Sequence, residues 1–275
     1  MKNYCLICNG CTYSKNNYSF KCKDCNYFYS NLSSGFGQDV LGIESLRKEN
    51  FKKIINAILV YNKNPKILEI GSGDGFFIEE CVNLKISITG SEASKETIKN
   101  LKSKFKNDVN ILNISLPKSI MTKTKTKFDF IVFNDVFEHL KDLDSVIQTT
   151  IRALKKDGII IINSPTSDGI IFKISLFLMK IGFTKFYDRL WQKNMSSPHL
   201  SYFNKKNLNL LFSKHNLFEV KSGYLRSLGL NNFSRFKNLY DSSFKSFIFS
   251  IMCFFFALFQ LFFPKDIMFV FFKKK

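Results

Sequence analysis

Between Lys66 and Pro165, short apolar runs alternate with helix-length segments of 3.6-residue periodicity, and that alternation leaves few folds open. KILEI (66–70), SITGSE (87–92), VNILNI (109–114), FDFIVFND (128–135) and GIIIINSP (158–165) read as strands. FFIEECVNL (76–84), SKETIKNLKSKF (94–105, with Ser94 as N-cap) and DLDSVIQTTIRAL (142–154) read as helices. Strands joined through helices run parallel and carry helices on both faces. The continuous apolar character of these strands fits burial on both sides. Upstream, apolar residues at 51, 54, 55, 58 and 59 predict a helix from Glu44 to Tyr61, stopped by Asn64-Pro65. Downstream, LFEVKSGYL (217–225) and DIMFVFFKK (266–274) predict a closing antiparallel pair. The fold class is therefore α/β: a doubly wound, mostly parallel seven-stranded sheet.

The first strand runs into Glu69-Ile70-Gly71-Ser72-Gly73-Asp74-Gly75. In such sheets, ligands bind beyond the carboxyl ends of the strands. Glycines at alternate positions let backbone approach a ligand where a Cβ would clash. The spacing is G-x-G-x-G with an acid two residues before it, not the G-x-G-x-x-G of dinucleotide sites. Glu69 would repel a pyrophosphate and attract a cationic amino-acid end. Glu92, closing the second strand, can accept hydrogen bonds from both hydroxyls of a ribose. The expected ligand is an adenosine cofactor with an amino-acid tail.

Ahead of this domain, Cys5, Cys8, Cys22 and Cys25 form two CxxC knuckles, thirteen residues apart. Two tight turns bearing two thiolates each supply the four soft ligands of a closed, structural Zn²⁺ site. Disulfides are the alternative, and they need an oxidising compartment; MKNYCLICNG shows no export signal. Cys11 lies near enough to replace a neighbour as ligand, whereas Cys81 and Cys253 sit in apolar contexts and read as core thiols. Residues 1–30 read as a zinc-ribbon module, 31–65 as linker and leading helix, and 66–275 as the larger domain.

The formal charge is +19, from 41 basic and 22 acidic residues. It would suit nucleic acid, a phosphorylated substrate or a membrane surface, but the lysines are spread along a chain rich in Lys, Asn, Ile and Phe, as compositional bias alone would give. Two apolar stretches stand out. FIFSIMCFFFALFQLFF (247–263) lies in an insertion (226–263) before the last strand, expected to be helical; at about 25 Å as a helix it falls short of the ~30 Å hydrocarbon core. GIIFKISLFLMKIGF (169–183), within a lid-like segment (169–200), sets Lys173 and Lys180 seven apart on one helix face, an interfacial pattern. Peripheral contact with the inner face of a cytoplasmic membrane, packing on the domain and homodimerisation are all consistent with these stretches.

ILEIGSGDG, TGSEAS and FDFIVFNDVFEHLKDL (128–143) resemble the motifs of class I S-adenosylmethionine-dependent methyltransferases. WQKNMSSPHLSYFNKKNL (191–208) and PKDIMFVFFKK (264–274) narrow the resemblance to a subgroup that carries a cysteine-knuckle module and works in surface-polysaccharide or modified-sugar pathways. The resemblance implies S-adenosylmethionine held by Glu69, Gly71, Gly73, Gly75 and Glu92, with Asn113 beside the adenine and Asn134 and Asp135 lining the cofactor. Phe137 stands where Leu is usual.

Methyl transfer to an oxygen of high pKa needs alignment and a base. His139 and His199 fall in candidate active-site loops, either as base or as loop-holding residues; His215 reads as a helix-end residue. Glu138 would bind a substrate hydroxyl or anchor its loop, and Trp191, Tyr202 and Phe203 would stack on a sugar or fill core. The expected acceptor is a sugar hydroxyl of a nucleotide- or lipid-linked glycan precursor. Ribosomal RNA is a weaker alternative, because the Asn/Asp-Pro-Pro-aromatic motif is missing. A non-catalytic cofactor-binding domain is the third reading.

Overall fold

Each residue pair along the central strands points to opposite faces of one sheet, and two separate cores result. Ile67, Val132, Ile161 and Phe271 pack on one side; Leu68, Ile131, Ile160 and Val270 pack on the other. The computed structural model describes residues 4–35, 44–106, 108–117, 120–228 and 262–274, with positions 251, 254, 255 and 258 between the last two spans. Its strands in chain order are β1 (Thr12–Ser14), β2 (Ser19–Cys22), β3 (Phe28–Ser30), β4 (Lys66–Ile70), β5 (Ser87–Glu92), β6 (Asn110–Asn113), β7 (Phe128–Asn134), β8 (Leu154–Pro165), β9 (Ser201–Tyr202), β10 (Leu217–Leu225) and β11 (Ile267–Lys274). The large sheet has the order β10-β11-β8-β7-β4-β5-β6. Strand β11 is antiparallel to both β8 and β10, and the remaining pairs are parallel, as the sequence predicts.

The helices are α1 (Glu44–Tyr61), α2 (Phe76–Asn83), α3 (Lys95–Phe105), α4 (Ile120–Lys123), α5 (Leu143–Ala153), α6 (Ile170–Lys180), α7 (Thr184–Leu190) and α8 (Lys205–Ser213). Helices α1, α2 and α3 cover one face through Ile54, Phe77 and Leu101; α5 and α8 cover the other through Val146, Ile147, Leu208 and Phe212. Ser94 caps α3 by accepting from the Thr97 amide, as expected. Strand β8 begins four residues earlier than the sequence indicates, because Leu154 pairs with Phe128 across a register shift.

The N-terminal residues do not form a separate body. β1, β2 and β3 make a small antiparallel sheet whose fourth strand is β9, contributed by the SPHLSYF segment. Cys5, Ile7, Cys22, Cys25 and Tyr27 are buried in the same cluster as Leu68, Phe203 and Phe212. The 1–30 boundary therefore marks a change of sheet within a shared core. Helices α6 and α7 pack on this module: Phe172, Tyr187, Trp191 and Tyr202 form a third cluster with Tyr18 and Phe28. Of the apolar insertion, residues 229–250 and most of 251–261, Cys253 and Phe259 included, lie outside the described residues. Among the described residues, no helix is long and apolar enough to cross a membrane.

Candidate active site

The site gathers at the carboxyl ends of β4, β5, β6 and β7. As β4 ends, the backbone turns through Gly71 at φ 71° and Gly73 at φ 49°. A Cβ on Gly71 would lie 2.5 Å from Val136 Cγ2, so this glycine lets the first loop touch the segment that follows β7. A Cβ on Gly73 would meet nothing within 4 Å, which leaves open space for a ligand over the loop. Gly75 also has positive φ, at 78°, and seats α2 against Leu101 and Phe105.

Glu69 is buried under this loop. One carboxylate oxygen accepts from Asn134 Nδ2 at 2.9 Å, and the other has no hydrogen-bond partner. Burial pushes its carboxyl up to about 8, against the hydrogen bond from Asn134. A buried carboxylate with an unfilled oxygen is costly unless a donor or cation completes it. An ammonium group is the complement that fits. Asn134 pairs its side chain with Glu69 and Asn163, at 2.9 and 3.2 Å, and so positions the acid.

Glu92 faces the same loop. Its carboxylate accepts from the Gly73 amide at 2.8 Å and from the Ala93 amide at 3.0 Å, which aims its remaining lone pairs outward. Asn113 is exposed and sits opposite Glu92 in the β5–β6 register, one strand further along the cleft rim. Asp135 leaves β7 with φ 54°, and its Oδ2 lies 3.7 Å from Arg47 Nε of α1. Burial raises its carboxyl, and the Arg47 charge opposes that rise. Arg47 carried no motif in the sequence; only its helical position in α1 placed it within reach.

A one-turn helix, Phe137–His139, follows Val136, and it meets the SPHLSYF segment. The Leu200 amide donates to the Glu138 carbonyl, and the His139 and His199 rings lie 4.7 Å apart. His139 Nδ1 donates to the Pro198 carbonyl at 2.9 Å, which leaves its Nε2 as the acceptor. Tyr202 donates its hydroxyl proton to the Leu190 carbonyl and so receives from His199 Nδ1 at 3.3 Å; the His199 lone pair is likewise on Nε2. Burial, followed by the neighbouring His139, holds His199 well below its ordinary range and therefore neutral. Glu138 is fully buried with neither carboxylate oxygen partnered, and burial with Asp135 nearby raises its carboxyl well above the usual range. Glu138, His139 and His199 each offer a ligand atom within 4.8 Å of the others, a donor set able to hold a divalent cation as well as a substrate hydroxyl.

Other sequence assignments resolve cleanly. His215 Nε2 meets Asp144 at 2.7 Å, away from this site, just past the end of α8. Trp191, Tyr202 and Phe203 are buried and fill core instead of stacking on a ligand. Cys11 is exposed and outside the thiol cluster, which gathers Cys5, Cys8, Cys22 and Cys25. Those four sulfurs lie within 4.8 Å of one another, with Cys5–Cys25 at 3.6 Å and Cys8–Cys22 at 3.4 Å. Tetrahedral zinc with Zn–S of about 2.3 Å needs sulfur–sulfur edges of about 3.8 Å. The spacing fits that ion and is far from a disulfide bond.

Comparison with known proteins adds the family. The model of the "Methyltransferase domain" family matches residues 43–221. The ubiquinone biosynthesis O-methyltransferase of Pelagibacter ubique is 36% identical over 100 residues, covering 36% of this chain and 42% of that protein. The mitochondrial enzyme of the same name from Bos taurus is 26% identical over 168 residues, 58% of this chain and 45% of its own. The chain thus spans less than half the length of these curated relatives. Among solved structures, an S-adenosylmethionine-dependent methyltransferase from Archaeoglobus fulgidus superposes with a TM-score of 0.54 at 18% identity, over 84% of this chain and 97% of that one. At that identity the likeness speaks for the fold alone. Sequence motifs, sheet order and family match agree: the chain belongs to the class I S-adenosylmethionine-dependent methyltransferase family.

Proposed function

We propose that this chain transfers the methyl group of S-adenosylmethionine to a hydroxyl oxygen, on a sugar of a nucleotide- or lipid-linked glycan precursor. The observation that carries the transfer is the contact between Gly71 and Val136, which sets the Glu69–Glu92 cofactor cradle beside Glu138, His139 and His199. When bound, the cofactor supplies an electrophilic methyl on a sulfonium. Glu69 holds the ammonium end and Glu92 the ribose hydroxyls, with Asn113 at the adenine side. His139 Nε2 takes the acceptor proton, while neutral His199 and the buried Glu138 carboxyl orient the acceptor oxygen. A positioned base of this kind accounts for on the order of 10²–10⁴-fold in rate.

The choice of oxygen draws on relatives named as O-methyltransferases, and the sugar draws on the subgroup resemblance. The four-cysteine cluster holds a structural zinc ion in this account. It braces β3 and, through β9, the segment carrying His199. Exposed Phe177, Ile181, Phe183 and Phe186 on and around α6 and α7 give a surface suited to peripheral membrane contact. Incubation with methyl-labelled cofactor and separated lipid-glycan, soluble nucleotide-sugar, quinone and RNA extracts tests the acceptor. Label in a glycan fraction supports the proposal; label confined to RNA or to a quinone precursor refutes the sugar.

A further inference from the structure

A cavity of about 320 Å³ lies between the β1–β2 hairpin and α6, beside the aromatic cluster. Lys15 and Lys21 reach it from the hairpin, and Lys173 and Lys180 reach it from α6. Phe28 and Phe177 supply apolar walls, and among the described residues no carboxylate lines it. Some lysines elsewhere meet acids: Lys48 meets Glu44 and Glu79, Lys155 meets Asp129, and Lys205 meets Glu219. Among the described residues, none of the four cavity lysines makes an ion pair. Burial together with the Lys180 and Lys21 charges lowers the Lys15 ammonium below its ordinary value, as expected where cations converge without a counter-charge.

The convergence is built into the packed part of the molecule. Lys21 Nζ lies 5.3 Å from the Phe28 ring centre, and Phe28 stacks edge-on against Phe172 of α6 at 5.0 Å. That contact fixes hairpin and helix relative to each other, so two pairs of lysines from elements more than 150 residues apart are held round one space. Like charges gathered round one space repel one another, and an anionic ligand relieves that repulsion. We propose that this cavity is a binding site for a phosphate or diphosphate group. The volume is at the lower end of small-ligand sites, on the order of 300 Å³. The phosphate oxygens meet the ammonium groups, and exposed Phe177 at the rim receives the apolar or sugar portion that bears the phosphate. The described residues that line the cavity are distinct from those of the cofactor cradle, so the inference stands whether or not the acceptor is a glycan.

The test uses the full zinc-loaded chain and two exposed changes on α6, Lys173→Gln and Lys180→Gln, alone and together. Calorimetry with inorganic phosphate and uridine diphosphate reports the soluble source. Co-sedimentation with phosphatidylcholine vesicles, with and without phosphatidylglycerol, reports the lipid headgroup. S-adenosylhomocysteine binding, measured in parallel, shows that each variant keeps its fold and cofactor cradle. The expected result is binding of at least one phosphate-bearing probe that weakens with salt. Each substitution should weaken it about tenfold, the loss of one charge-assisted hydrogen bond. Binding of uridine diphosphate identifies a soluble phosphorylated ligand, and binding only of the anionic vesicles identifies a lipid one. Failure of all probes to bind the native chain, or equal binding by the double variant, overturns the proposal even if methyl transfer proceeds.

Discussion

Replacing Glu69 with Gln isolates the most unusual electrostatic feature of the cofactor site. Holding this buried carboxyl at about 8 rather than 4.5 corresponds to about 5 kcal/mol by linkage. The folded state therefore binds more protons than the unfolded one between about pH 4.5 and 8, and stability contributed by the protonated group is lost as pH rises through that window. Gln keeps the shape and can still pair with Asn134, yet it never ionises. Glu69→Gln should leave the cofactor-free chain as stable as the parent near pH 5 and more stable by several kcal/mol at pH 8. Binding reverses the balance. An ammonium group placed on the unfilled oxygen favours the ionised carboxylate, so at pH 6.5 cofactor binding should expel close to one proton. Calorimetry in buffers of different ionisation enthalpy measures that proton directly. The parent should show it; Glu69→Gln should show none and bind more weakly. Equal proton release by both proteins would refute the ammonium–Glu69 pairing, and an unchanged stability difference across pH would refute the burial argument.

Metal removal, or the double change Cys22→Ser and Cys25→Ser, should abolish binding of about one zinc per chain. Because the thiols share a core with Phe203 and Phe212, it should also lower the melting temperature of the whole chain and the rate of methyl transfer; an unaltered rate in metal-free protein would contradict this. Glu92→Ala should weaken cofactor binding by about 1.5–3 kcal/mol, with the Gly73 and Ala93 amides losing their acceptor as well. Gly71→Val should be worse, since its side chain meets Val136; unchanged affinity in calorimetry would misplace the site. His139→Ala should cost about 10²–10⁴-fold in turnover while cofactor affinity stays near the parent value, and full activity would leave positioning alone as the mechanism.

The strands and the first loop were legible because their signals are local. Ile67 and Leu68, or Ile131 and Val132, announce a two-sided sheet by hydrophobicity alone, and Glu69-Ile70-Gly71-Ser72-Gly73 announces a turn with open space above it. The four thiols were legible from spacing. What stayed hidden depends on partners distant in sequence. Strand β9 is two residues long, and only its pairing with Phe28 and Tyr29 makes it a strand. Arg47 reads as one more basic residue on a helix until Asp135 is brought to it. Nothing local in the sequence says that the Asn134 amide is bonded to the buried Glu69. Trp191 and Tyr202 read as either a stacking platform or core, and only the packing of the cysteine module's hairpin over them decides for core. The four-lysine cavity was half visible: Lys173 and Lys180 marked a helix face, but nothing in the chain's order says that Lys15 and Lys21 lie opposite.

The central claim is methyl transfer from S-adenosylmethionine to oxygen at the site where Gly71 meets Val136. The most direct measurement is carbon-13 nuclear magnetic resonance of the product formed from cofactor labelled at its methyl carbon, with the zinc-loaded chain and a glycan-precursor extract. The account expects a new methyl signal in the range of oxygen-bound carbon, stoichiometric formation of S-adenosylhomocysteine, and neither with Gly71→Val. A signal in the nitrogen- or carbon-bound range, or no signal with a protein that binds the cofactor, would contradict it.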